Sequence, residues 1–128
     1  MAPDKVFVDA NVIIEILESR PKQNQAMRAL RQVSGRVYIS TLTCHIIAYV
    51  CIKRSGLDVI EQILADFDKL SLEQNDVNWA FANRRNNDFE DALQLAVAIR
   101  NGCDTFLTFD QPLHKAYKDL PNITIELL

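Results

Sequence analysis

The chain has 128 residues, 48% hydrophobic and 24% charged, with a formal net charge of -3. That length suits one compact domain spanning residues 1–128, and three Gly and four Pro leave little material for long flexible connectors. The acidic balance excludes a broadly basic nucleic-acid surface but leaves room for a local cationic strip beside an acidic centre.

Lys5 to Val8 reads as a short buried strand, and Ala10 to Leu17 lacks strict alternation, which favours a helix directly after it. Arg20-Pro21 breaks the chain, and Gln25 to Val33 resumes helical spacing until Gly35 supplies a stop. Val37-Tyr38-Ile39 is the second strand. Ser40 and Thr41 can cap the next helix, which carries Ile46, Ile47, Val50 and Cys51 inward and ends at Lys53-Arg54-Ser55-Gly56, where cations meet the carbonyl end favourably. Leu57 to Asp68 continues as an amphipathic helix, Lys69 to Leu72 forms a short third strand, and Asn75 to Arg84 is a helix with Val77, Ala80 and Phe81 facing the core.

Asp88 to Arg100 is apolar nearly all round and should lie deep against the sheet, with Asn101-Gly102 closing it. Thr105 to Phe109 and Ile123 to Leu127 complete the strands, separated by Pro112, a short helix through Tyr117, and Pro121. Cys44, Cys51 and Cys103 are odd in number and lack CxxC spacing, which argues against disulfides and thiolate zinc sites and fits a reducing cytoplasm. No apolar run reaches the roughly 18 residues of a membrane-spanning helix, and the start of the chain lacks a leader pattern, so no membrane association is expected.

Strands alternating with helices predict a parallel sheet covered on both faces, with ligands bound outside the carboxyl ends of the strands where strand order reverses. Asp9 and Asp110 each follow an apolar strand at that edge, and if the strands are neighbours their backbones lie about 5 Å apart. Asp88 and Asp91 project from one side of the first turn of their helix, with Gln94 continuing the line. Each acid has a plain alternative: a helix N-cap for Asp88 and Asp110, a first-turn partner of the helix dipole for Asp91, an Asx-turn for Asp9. Together they would raise one another's pKa unless a hard divalent cation kept them ionised, and oxygen-only ligation favours Mg²⁺ or Mn²⁺ over zinc. Such a centre suits phosphodiester hydrolysis, in which metal activates water and steadies charge on phosphate oxygens.

Three stretches resemble the PIN-domain family, which includes VapC-like toxin ribonucleases: Phe7-Val8-Asp9-Ala10-Asn11-Val12-Ile13-Ile14, Asp88-Phe89-Glu90-Asp91-Ala92-Leu93-Gln94 and Thr108-Phe109-Asp110. The resemblance implies a three-layer α/β/α sandwich around a five-stranded parallel sheet, Mg²⁺ or Mn²⁺ dependence and a homodimer. It also implies an RNA substrate and, for a toxin, an antitoxin partner. Asp9, Asp91 and Asp110 match members of the family's acidic set, Asn11 its orienting amide and Thr108 its bracing hydroxyl, with Asp88 an additional ligand candidate. One departure stands out. Many active members carry a Glu on the helix after the second strand, and the matching stretch here, Ser40-Thr41-Leu42-Thr43-Cys44-His45-Ile46, places Ile46 at that point. His45 next to it is expected either to face the site or, more simply, to be a partly buried structural residue.

Phosphate charge calls for cations, and Arg84-Arg85, directly before Asn86-Asn87-Asp88, should border the acidic pocket; Lys53-Arg54 is the second choice. Both pairs have the simpler role of helix-end charges. Trp79, Tyr38, Tyr49 and Tyr117 offer stacking faces, but dispersed aromatics usually belong to core or interface. The sequence thus points to a metal-dependent endoribonuclease, with a catalytically weak PIN module that binds RNA or a protein partner as the alternative.

Overall fold

The computed structural model describes residues 5–128. In chain order it contains β1 (Val6–Val8), α1 (Ala10–Leu17), α2 (Gln23–Arg31), β2 (Val37–Ser40), α3 (Thr41–Ser55) and α4 (Leu57–Leu64). These are followed by β3 (Asp68–Leu70), α5 (Gln74–Asn83), α6 (Phe89–Arg100), β4 (Thr105–Thr108), α7 (Gln111–Tyr117) and β5 (Thr124–Leu127). The strands form one five-stranded sheet in the order β3-β2-β1-β4-β5, and every pairing is parallel. Strand order therefore reverses at β1 and β4, which pair in register from Val6 and Thr105 to Val8 and Leu107.

Alternation along the strands divides the interior into two layers. Val6, Val8, Ile39 and Leu107 face α1 to α4, packing with Val12, Ile13, Ile47, Cys51, Ile60 and Leu64. Phe7, Phe106 and Ile125 face the opposite side, where Leu95, Val97, Leu113 and Tyr117 of α6 and α7 cover them. Phe7 and Phe106 stack with ring centroids 5.3 Å apart, fastening the two strands that carry the acids. The three-layer α/β/α sandwich is thus present.

Helix ends follow the residues expected to make them. Ser40 accepts from the Thr43 N–H at 3.0 Å and the Thr43 hydroxyl accepts from the Ser40 N–H at 3.4 Å, closing a capping box at the start of α3. Gly56 and Gly102 adopt φ of 76° and 72°, the left-handed region that a side chain would resist, and stop α3 and α6.

Apart from shifts of one or two residues at other element ends, boundaries and faces differ in four places. α4 ends at Leu64 rather than Asp68, because Lys69 Nζ reaches back to the Leu64 carbonyl at 2.7 Å and the chain turns there. The third strand consequently begins at Asp68 and ends at Leu70, short of Leu72. Val50 and Phe81, both expected inward, are exposed, because Ile47 and Cys51 of α3 and Ala80 of α5 already take the buried positions of those helices. The cysteines are free. Among the described residues no helix is long and apolar enough to cross a membrane.

Candidate metal centre

Asp9 directly follows β1, and its N–H donates to the Leu107 carbonyl of β4 at 2.9 Å, so the parallel register itself carries its carboxylate to the carboxyl edge of the sheet. Its Oδ2 accepts from the Thr108 hydroxyl at 2.8 Å and from Asn11 Nδ2 at 3.2 Å. Asn11 Nδ2 also reaches Thr108 Oγ1 at 3.2 Å, and its Oδ1 accepts from the Phe109 N–H at 3.2 Å. Asn11 and Thr108 therefore fix the Asp9 carboxylate while leaving its Oδ1 clear of side-chain donors. Thr108 Oγ1 further accepts from the Asp110 N–H at 3.0 Å, which couples the second strand end to the first.

Asp110 and Asp88 serve as helix N-caps as well. Asp110 Oδ1 accepts from the Leu113 N–H at 3.0 Å, and Asp88 Oδ1 accepts from the Asp91 N–H at 3.3 Å. Capping consumes one oxygen of each and fixes the direction of the other. Asp88, Asp91 and Asp110 each offer one carboxylate oxygen within 4.8 Å of the others. Asp9 stands beside this trio rather than within it, close enough to act electrostatically on Asp91 and to feel Asp110.

The electrostatics are unbalanced. Burial pushes Asp9 up to about 7, against the pull of the Thr108 hydroxyl and the Ala10 N–H, and the charges of Asp110 and Glu90 push the same way. Asp91 rises to about 8, first through burial and then through Asp88, Asp110 and Asp9, with only the Asn86 amide opposing. Glu90 is also raised, by burial and by Asp88. Among the described residues, no Lys, Arg or His forms an ion pair with Asp9, Asp88, Asp91 or Asp110; the salt bridges lie elsewhere. An all-oxygen donor set, convergent, partly buried and without an internal counter-charge, has the chemistry of a hard divalent cation site.

Ile46 is half-buried against the α1 to α4 core and offers no oxygen. His45 is neither in the acidic cluster nor buried; it lies exposed on α3 beside Tyr49. Arg84 donates to the Phe81 carbonyl and has no carboxylate partner among the described residues. Arg85, by contrast, is committed to Asp119 and to the Ala116 carbonyl of α7. Lys53 and Arg54 sit near the far end of α3, about 18 Å along the helix from its start at the site edge, and Arg54 lies 3.8 Å from Glu18. Trp79, Tyr38 and Tyr117 pack in the second core layer, whereas Tyr49 is exposed.

Two supports have roles that the sequence does not assign, Asn86 and Gln94. Asn86 accepts from the Asp88 N–H at 3.1 Å and extends its amide toward Asp91 Oδ2 at 3.4 Å, so it bridges the N-cap of α6 and Asp91. Its spacing of two residues before Asp88 is the readable mark of an Asx-turn. Gln94, buried, accepts from the Ser40 hydroxyl at 2.6 Å and donates to Thr43 Oγ1 at 2.8 Å. A lone amide in so apolar a helix signals a buried polar partner.

Known proteins share this fold. The PIN domain family matches residues 6–119. Ribonuclease VapC1 of Aquifex aeolicus is 25% identical, the match covering 98% of this chain and 94% of that protein. The fold is similar to a toxin-antitoxin complex from Klebsiella pneumoniae, at a TM-score of 0.77 and 20% identity over 93% of this chain and 95% of that one. It is also similar to Mycobacterium tuberculosis VapC20, described as a Sarcin-Ricin loop cleaving toxin, at 0.72 and 16% identity over 87% and 94% of the two chains. With the family matched from β1 through α7, a span that contains Asp9, Asp88, Asp91 and Asp110, this chain belongs to the PIN-domain family.

Proposed function

We propose that the chain is a divalent-metal-dependent endoribonuclease that hydrolyses RNA phosphodiester bonds, acting in the cytoplasm as the toxin of a toxin–antitoxin pair. One observation carries this: Asp88, Asp91 and Asp110 converge beside Asp9 at the strand-order reversal with no cation among the described residues paired to them. Asp9, Asp88, Asp91 and Asp110 hold Mg²⁺ or Mn²⁺, and Asp88 supplies the carboxylate that α3 lacks at Ile46. Bound there, the ion supplies an acidified water and charge stabilisation on the phosphate. Asn11 and Thr108 keep the Asp9 carboxylate turned toward the cluster. Arg84, next to the loop that carries Asn86 to Asp91, faces the phosphate backbone, Arg85 is held back by Asp119, and Lys53 and Arg54 at the far end of α3 are a second cationic stretch.

Partners follow from the same reading. Tyr49, Val50 and Ile52 of α3 and Leu57 and Val59 of α4 form an exposed apolar stripe, and the similar Klebsiella pneumoniae structure is a toxin-antitoxin complex. A second copy of this chain and an antitoxin are the occupants proposed for such surface.

Calorimetric titration with Mn²⁺ tests the centre: binding is expected for the wild type and is lost in Asp91→Asn. Asp9→Asn is expected to lower Mn²⁺-dependent RNA cleavage by about 100-fold or more with the fold unchanged. Metal-dependent cleavage at the wild-type rate in Asp9→Asn would falsify the assignment. Ile46 favours one rival, a PIN module that binds without cutting. Absence of Mn²⁺ binding at millimolar concentration selects it.

A further inference from the structure

Phe81 is one of the large side chains that the fold leaves outside, apart from the exposed stripe on α3 and α4. It is 60% exposed at the end of α5 and lies against Phe89, the first residue of α6, with ring centroids 4.4 Å apart and planes tilted by 38°. One face of the pair is thereby held in place by the other, while the outer face of Phe81 meets solvent. Beside it runs an open groove of about 420 Å³ lined by Phe81, Ala82, Arg84, Arg85, Asn86 and Asn87.

Two features make this groove more than a patch of apolar surface. Its wall is continuous with the acidic centre, because Asn86 lines the groove and also extends its amide to Asp91. Its charge is positive and available: Arg84 has no carboxylate partner among the described residues and is oriented by its bond to the Phe81 carbonyl at 2.9 Å. A rigid aromatic face, a free guanidinium and the side-chain amide of Asn87 form the set that a single-stranded nucleotide uses. The base stacks, the phosphate pairs with the cation, and the base edge meets the amide.

We propose that Phe81, with Arg84 and Asn87, forms a stacking subsite for an unpaired nucleobase adjoining the phosphate held at the acidic centre. The subsite rests on the ribonuclease reading, which it deepens by naming single-stranded RNA as the substrate form. Stacking tolerates any base, so Phe81 sets strand form and affinity, and Asn87 is the group able to prefer one base edge. A duplex, whose bases are already stacked, gains nothing from Phe81.

The test uses the full-length protein carrying Asp9→Asn, in EDTA, with a single-stranded RNA oligonucleotide containing 2-aminopurine, so that binding is read without cleavage or metal. Stacking on Phe81 quenches the 2-aminopurine fluorescence. Phe81→Ala is expected to abolish the quenching and weaken binding by about 10-fold, Phe81→Tyr to retain both, and Arg84→Ala to weaken binding in a salt-dependent manner. Sedimentation of each variant is measured alongside. Undiminished quenching in Phe81→Ala overturns the subsite, as does an effect of Phe81→Ala on self-association with RNA binding unchanged, which identifies the aromatic pair as a protein interface. Because the readout is independent of metal, loss of the subsite leaves Mn²⁺ binding intact, and failure of the nuclease assignment appears in the Mn²⁺ titration and not here.

Discussion

Two groups of carboxylates are buried among the described residues, and they are treated in opposite ways. At the start of α5, Asp76 is 1% exposed and receives Arg100 Nε at 2.8 Å and Nη2 at 3.0 Å, while Glu73 lies 3.0 Å from the same guanidinium and the Ser71 carbonyl accepts a further bond at 2.7 Å. The fork geometry satisfies both Asp76 oxygens, one of which also caps the Glu73 N–H at 2.8 Å. At the β1–β4 edge, Asp9 and Asp91 are nearly as buried, yet their donors are hydroxyls, amides and backbone N–H groups that carry no charge. The first group is a finished structural knot. The second is stable as anions only when a cation arrives from outside.

The sharpest way to break this contrast is to reverse the two. Arg100→Ala strands Asp76 without its cation and is expected to cost about 3 kcal/mol in urea unfolding, the lower end for a buried pair because Arg100 keeps some contact with water. Above pH 8, where Asp91 is ionised, Asp91→Asn removes a charge that no described residue neutralises and is expected to raise the melting temperature of the metal-free protein. A lowered melting temperature in EDTA would place Asp91 with Asp76 instead.

A pH series sharpens it next. Asp9 and Asp91 have folded-state values near 7 and 8, above the ordinary value of 3.8. Between about pH 4 and pH 8 the unfolded carboxyls have lost protons that the folded ones keep, so their contribution to stability falls as pH rises, by at most about 1.4 kcal/mol per unit for each group. Above pH 8 the penalty is constant. Mn²⁺ must displace those protons, so its stabilising effect is expected to grow from pH 6 to pH 8. Urea midpoints with EDTA and with Mn²⁺ at both pH values measure the crossing. The smallest expected effect is that of Asn11→Ala, which frees Asp9 to rotate and weakens Mn²⁺ binding by about 10-fold in calorimetry.

The fold was largely legible because its signals were local. Short apolar strands followed at once by helices placed Asp9 and Asp110 at element junctions, and the all-round apolarity of α6 foretold its depth. The N-cap alternatives for Asp88 and Asp110 were correct without excluding them from the cluster, since a carboxylate has two oxygens and capping uses one. What sequence could not supply was which neighbour wins a crowded position. Phe81 and Val50 carry apolar side chains next to residues that already fill the core, and only the packed helices decide that they face outward. Arg84 and Arg85 look equivalent in sequence, yet Asp119, a distant residue on the segment after α7, engages one and leaves the other free.

The Ser40–Thr43–Gln94 contact has a mechanical consequence. A helix wrapped in Ala92, Leu95, Ala96, Val97 and Ala98 can bury grease in several azimuthal settings with little difference in hydrophobic free energy. Gln94, hooked to two hydroxyls at the mouth of α3, is satisfied in one of them alone. Asp91 lies one turn earlier on that cylinder, so the aim of a charged group is locked by an uncharged one, like a key pin that stops the barrel from spinning.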